Sequence, residues 1–248
     1  MLQTNEIVRL TFGDSLAYGH LRQVCYTLRH GGLCILPSDT CYSLAALPFR
    51  RDALAHLASI LPGKDSDPIP LAFGSLALAQ QYVRLTPRDE KLIDAYCPGP
   101  LTLVCEINDQ HDKKIIEDML HTHGTIGVRI PDSTVERQVS IELQRPITTC
   151  AIRDDSGEPV RIFDDAVSLV RMRMKARQEE FLLFAVRMTR LAYREVSTVA
   201  SVQKEGLPEG KELVSPYSVF IYRPGIIEPE QLESALRKLW PSDFEDWT

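Results

Sequence analysis

Residues 31–44 read GGLCILPSDTCYSL. A glycine pair stops the element before it, the four apolar residues from Leu33 to Leu36 can be buried as a strand, and Pro37 fixes the backbone as the chain enters a turn. Ser38, Asp39, Thr40 and Tyr42 then offer hydroxyls and a carboxylate where a loop leaves a sheet, a common place for a ligand to be met. The residues alone leave a second reading open, a turn whose Ser and Asp bond their own backbone.

Outward from this stretch, strands and helices alternate. Upstream, IVRLTF at 7–12 suggests a first strand, and Asp14 a cap for a helical stretch through Leu28. Downstream, residues 51–60 carry apolar positions at helical spacing, Ile69 to Phe73 reads as a short strand, and 75–84 and 88–96 read as two helices, the second stopped by Pro98. LTLVCEI at 101–107 and TIGVRI at 125–130 are strands, Ser133 to Leu143 a helix, ITTCAI at 147–152 a strand, and Asp164 to Arg177 a helix. The order predicts an α/β fold with a mixed, twisted sheet and helices on both sides.

Length and composition suit a compact soluble enzyme or binding domain. The 248 residues can bury a sizeable core, and 44% apolar with 25% charged residues is ordinary for a globular chain. No stretch approaches the ~20 apolar residues of a membrane span. The opening MLQTNEIVRL lacks the basic-then-apolar character of a secretory signal, so the expected location is cytoplasmic. Six scattered cysteines without a CxxC pair read as small buried hydrophobes rather than as disulfides or a zinc site. A net charge of −6 argues against a surface that grips nucleic acid all over, and leaves room for a local basic cleft.

Three further segments, in order, carry a resemblance: CPGPLTLV at 97–104, GTIGVRIPDS at 124–133 and RPITTCAIRDDSGEP at 145–159. With PSDTCYSL they resemble the YrdC/YciO family, which includes the threonylcarbamoyl-AMP synthases of tRNA modification and whose pattern reads approximately PTDTVYGL, PGPLT, GVRVP and PLxxTSANxSG. VSTVASV at 196–202 is similar to the family's STVVD strand, and YRPGIIEPEQLESAL at 222–236 to its closing strand and helix. The resemblance implies one domain over residues 1–248, with a poorly matched segment at 172–196. It further implies a concave face built from the loops at 37–44, 61–70, 129–133 and 149–153.

The resemblance implies a reaction that joins threonine, bicarbonate and ATP into threonylcarbamoyl-adenylate and releases pyrophosphate, with ATP as a substrate and Mg2+ as its candidate companion. No protein nucleophile is required; positioning and charge neutralisation carry such chemistry. By motif match, Thr40, Arg129 and Lys64 are the candidate catalytic residues. Ser38, Tyr42, Thr149, Cys150, Ser197, Thr198 and Arg223 are the candidate substrate and nucleotide contacts, and no metal ligand is assigned. Arg129 also admits a structural reading, an ion pair at a strand end.

The departures point to the YciO branch. Where synthases carry KxRPxxxPL, this chain has ILPGKDSDPIPL at 60–71, with Lys64 its one cation. GKDS at 63–66 is no P-loop. Cys150 and Ile152 replace the serine and asparagine of TSAN, removing two expected phosphate or metal contacts, and Ser43 stands for a glycine. A second function follows from the same residues, a non-catalytic module binding tRNA or double-stranded RNA through the cleft and the basic residues of 171–190. For 172–197 the blander reading is a helix and a strand packed on the core with solvated arginines. His121 and His123 form an HxH pair in a polar loop with no third ligand suggested nearby.

Overall fold

A computed structural model describes residues 7–11, 13–61, 69–108, 120, 124–202 and 219–239. Lys64, His121 and His123 therefore lie outside the described residues. The strands are β1 (Ile7–Leu10), β2 (Leu33–Pro37), β3 (Tyr42–Ala45), β4 (Pro70–Ala72), β5 (Val83–Arg84), β6 (Leu101–Ile107), β7 (Thr125–Arg129), β8 (Ile147–Thr148), β9 (Cys150–Ala151), β10 (Leu183–Met188), β11 (Thr198–Val202) and β12 (Val219–Arg223). The helices are α1 (Tyr18–Arg29), α2 (Arg51–Ile60), α3 (Leu76–Ala79), α4 (Pro87–Tyr96), α5 (Thr134–Leu143), α6 (Phe163–Ala176) and α7 (Pro229–Leu239).

The strands form two sheets. One has the order β1-β10-β2-β3-β9; the other runs β12-β11-β6-β7-β4-β8, with β5 also on β6. Parallel and antiparallel pairs occur in both, as in β10 beside β2 and β2 beside β3. The first sheet is covered on both faces, which is why LCILP is apolar at every position rather than alternating. Cys34, Leu36, Phe184 and Val186 pack with residues of α1 and α5, while Leu33, Ile35, Tyr42 and Ala185 pack with residues of α2 and α6. The second sheet buries Leu101, Leu103, Ile126 and Val128 against Leu92, Ile93 and Leu232 of α4 and α7. Alternation along β6 and β7 therefore turns Thr102 and Arg129 to the opposite face.

Several elements differ from the sequence expectation. Helix α1 starts at Tyr18 after an Ala17 N-cap, and the Asp14 carboxylate instead accepts the Thr11 N–H at 2.8 Å. Of the helix expected over 75–84, only Leu76–Ala79 forms, capped by Ser75; Val83–Arg84 then joins β6 because its pairing with Ile107 and Glu106 wins over local helical spacing. ITTCAI is not one strand. β8 pairs with β4 in the second sheet and β9 with β3 in the first, so the chain crosses between sheets at Thr149, whose N–H donates to Pro70 O at 3.0 Å.

The poorly matched segment supplies the end of α6 and then β10, which lies between β1 and β2 and runs parallel to both. Its arginines are not all solvated. Arg173, 9% exposed, donates to Asp155 at 2.9 Å and to Ile60 O at 3.5 Å. Arg187 pairs with Asp164 and lies over the Phe163 ring at 4.7 Å.

Candidate functional site

The two sheets meet where the β2–β3 turn approaches the end of β7 and the start of α5. Asp39, 1% exposed at the tip of that turn, forms an ion pair with the Arg129 guanidinium, 5% exposed at the end of β7. The other Asp39 oxygen accepts the Asp132 N–H at 2.9 Å, and Ser133, the N-cap of α5, donates its hydroxyl to Pro37 O at 2.6 Å. The turn is thus fastened to a helix N-terminus, where a carboxylate is favoured.

Arg129 continues the contact into the second sheet. Its Nη1 donates to the Ser197 hydroxyl at 3.3 Å, and Arg223 Nη2 donates to the same oxygen at 3.0 Å and to Ser197 O at 3.1 Å. Two guanidinium groups from β7 and β12 thereby converge on one serine just before β11. The buried Nε of Arg129 has no hydrogen-bond partner, so donor capacity remains at this cation. Gly225 lets the chain leaving β12 pass so closely; a Cβ there would collide with Val196 O and lie 2.5 Å from the Ser197 carbonyl carbon.

A second buried group lies beside the first. Glu136 of α5, fully buried, accepts the hydroxyls of Ser43 and Thr149 on Oε1 and of Ser38 on Oε2, each at 2.7 Å. The Ser38 hydroxyl also lies 3.2 Å from Asp39, so it links the two carboxylates. Burial pushes the Glu136 carboxyl above its ordinary value, opposed by the field of Arg129 and by the three hydroxyls. Glu136 was not among the residues expected from sequence. Ser133-Thr-Val-Glu136 is a capping-box pattern, which predicts that the Glu side chain turns back to its own helix start. Here only half of that box forms, the Ser133 hydroxyl accepting the Glu136 N–H at 3.3 Å, and the carboxylate serves the sheet crossing instead.

The remaining expected residues divide. Ser38, Arg129, Thr149, Ser197 and Arg223 lie within the connected network described above. Thr40 is 1% exposed in the same turn, with its hydroxyl 3.9 Å from the Cys41 sulfur. Tyr42 is not in the network: strand alternation turns it to the opposite face, where its hydroxyl donates to Met188 O at 3.2 Å and accepts Met188 N–H at 3.1 Å. Cys150 likewise packs with the apolar cluster around Tyr42 and Phe163, as does Ile152. The Thr198 hydroxyl is committed to the backbone of Ile227, donating to its O at 2.7 Å and accepting its N–H at 3.0 Å.

An open cleft of about 320 Å³ adjoins the network, lined by Tyr96, Cys97, Pro98, Pro100, Tyr193 and Ile226 among others. Tyr193 ties it to the site, because its N–H donates to Asp39 O at 2.8 Å. Burial pushes the Tyr193 phenol up, and Asp132 and Asp39 add to that shift. Among the described residues, no group of three or more His, Cys, Asp or Glu could hold a metal ion.

A buried arginine–carboxylate network between two mixed sheets, entered from a PSDT turn and a GVRIP strand end, defines the class. Residues 26–207 match the Sua5/YciO/YrdC family model, described as telomere recombination, and the chain belongs to that family. A Mycobacterium leprae protein provisionally named threonylcarbamoyl-AMP synthase is 31% identical over 166 residues, covering 65% of this chain and 71% of the relative. P. abyssi Sua5, solved in complex with L-threonine, superposes with a TM-score of 0.68 at 20% identity over 93% of this chain and 61% of its own, so this chain spans less than two thirds of it. E. coli YciO superposes with a TM-score of 0.68 at 16% identity, over 89% of this chain and 96% of its own. These two likenesses bear on the fold alone.

Proposed function

We propose that this chain is a nucleotide-handling enzyme of the threonylcarbamoyl-AMP synthase type, in a divergent, YciO-like form. The observation that carries the reading is the convergence of Arg129 and Arg223 on Ser197, with Arg129 Nε left over as a buried donor. Such a group suits an anionic ligand, since charge-assisted bonds from a guanidinium are strong in a partly dry site. In the reaction, an oxygen of threonine-derived carbamate bonds to the α-phosphorus of ATP, the bond from that phosphorus to pyrophosphate breaks, and the protein holds charge without forming a covalent bond.

The departures weaken this chemistry. Cys150 and Ile152 lie in the apolar core and supply no oxygen or amide to a phosphate, while the hydroxyls of Ser38 and Thr149 are taken by Glu136. Both Asp39 oxygens are engaged by Arg129 and Asp132. The described residues thus do not fit a protein-held Mg2+. Binding of tRNA or double-stranded RNA through the same cleft is the second reading. It is disfavoured by the commitment of Arg173 and Arg187 to Asp155 and Asp164, and it predicts affinity that falls steeply with salt.

The test is pyrophosphate release from ATP with threonine and bicarbonate, comparing the wild type with Arg223→Ala and Arg129→Lys. Release that needs all three substrates and falls at least about tenfold in either variant supports the reading, that being the order of one lost charged hydrogen bond. ATP binding that is undetectable, or indifferent to both substitutions, overturns it.

A further inference from the structure

Glu136 has a role that the reaction above does not give it. Its carboxylate is 0% exposed, and its three hydrogen-bond donors come from two stretches of chain: the β2–β3 hairpin, through Ser38 in the turn and Ser43 in β3, and the sheet crossing at Thr149. Each donor is a neutral hydroxyl, so the charge is met by hydrogen bonds and by the field of Arg129 rather than by a partner cation in contact. Arg129 in turn already carries Asp39. Two buried carboxylates therefore share one guanidinium, with the Ser38 hydroxyl between them. Three hydroxyls converging on one carboxylate form an anion cradle that the chain fills with its own anion. The site's cationic character is offset by the same group.

We propose that Glu136 is a specificity-determining residue that sets the ligand charge this site accepts, holding the hydroxyls of Ser38, Ser43 and Thr149 inward and offsetting Arg129, so that polyphosphate is disfavoured relative to a zwitterionic amino acid. Ser43 belongs to the same device, since it supplies one of the two hydroxyls on Oε1. Replacing the carboxylate by an amide removes one buried negative charge and preserves shape. Its Nε2 can then donate to Ser38, leaving the Ser38 proton for another acceptor. The inference rests on the anion-site reading above, and the two fail separately.

Isothermal titration at pH 8 of inorganic pyrophosphate, ATP and threonine tests it on the full chain, in the wild type, Glu136→Gln and Arg129→Lys. Glu136→Gln is expected to bind pyrophosphate and ATP at least about tenfold more tightly, the order expected for one charge in a site of effective dielectric about 20. Threonine, with no net charge, is expected to change less than about threefold. Equal or weaker pyrophosphate binding by folded Glu136→Gln overturns the inference, as does an equal gain for threonine. If Glu136→Gln shows no cooperative melting transition, the double variant Ser43→Gly/Glu136→Leu decides in its place, with the same gain expected. Loss of ATP binding in Arg129→Lys without a gain in Glu136→Gln rejects the role of Glu136 alone; indifference of ATP binding to Arg129→Lys rejects the site.

Discussion

Asp39 and Arg129 are 1% and 5% exposed, and removing either leaves the other's charge buried without its contact partner. Breaking such a pair costs far more than the pair contributes over an apolar substitute, because the desolvation of the survivor is no longer offset. Arg129→Met is expected to lower stability by about 3–5 kcal/mol in urea denaturation, and Asp39→Asn/Arg129→Met to recover most of that loss. Glu136 makes a second prediction, in pH. Burial is the largest cause of its shift, so its folded value lies above the ordinary 4.5. A carboxyl raised on folding contributes stability that is present below the unfolded value and lost as pH rises through the folded one. Urea midpoints of the wild type should therefore fall relative to Glu136→Gln as pH climbs above 4.5, and parallel curves would refute the assignment.

At the scale of elements, the site depends on the chain leaving β12, which passes beside the start of β11. Thr198 pins Ile227 through two hydrogen bonds, and Gly225 passes the Val196–Ser197 backbone with no room for a side chain. The obstructing atoms are backbone, so a methyl group cannot be relieved by a rotamer change. Gly225→Ala is expected to cost about 1–3 kcal/mol and to displace the Arg223–Ser197 contact. A thermal midpoint unchanged from the wild type would contradict the close approach. Helix α5 joins the other side of the site: Ser133 holds the β2–β3 turn and Glu136 the crossing at Thr149.

Over the whole molecule, the six cysteines report burial. All are free, five are buried, and Cys97 is partly so. Desolvation pushes Cys25 to about 11 and Cys97 to about 12, and raises Cys34, Cys41 and Cys105 as well. The thiolate is the reactive form, so thiol reagents at pH 8 should modify the native protein slowly and all six sites once it is unfolded in denaturant. Fast stoichiometric labelling of the native protein would contradict the packing of both sheets.

The sequence by itself determined the order and type of most elements, because apolar periodicity and the Gly, Pro and Ser punctuation act over a few residues. LCILP, LTLVCEI and the Ser133-capped helix were legible in that way. So was the network's skeleton, since Ser38, Arg129, Thr149, Ser197 and Arg223 stand in recognisable motifs. What only the tertiary structure decided is which groups meet. ITTCAI divides between two sheets because its partners β4 and β3 lie in different ones. The segment after α6 becomes an inner strand through pairing with β2, 150 residues upstream, and β1, 178 residues upstream, contacts no local window carries. Tyr42 faces the core because alternation sets its side, and Glu136 leaves its capping box because three hydroxyls that the fold brings to it, two of them from the distant β2–β3 hairpin, satisfy a buried carboxylate better than the single N–H of a capping box.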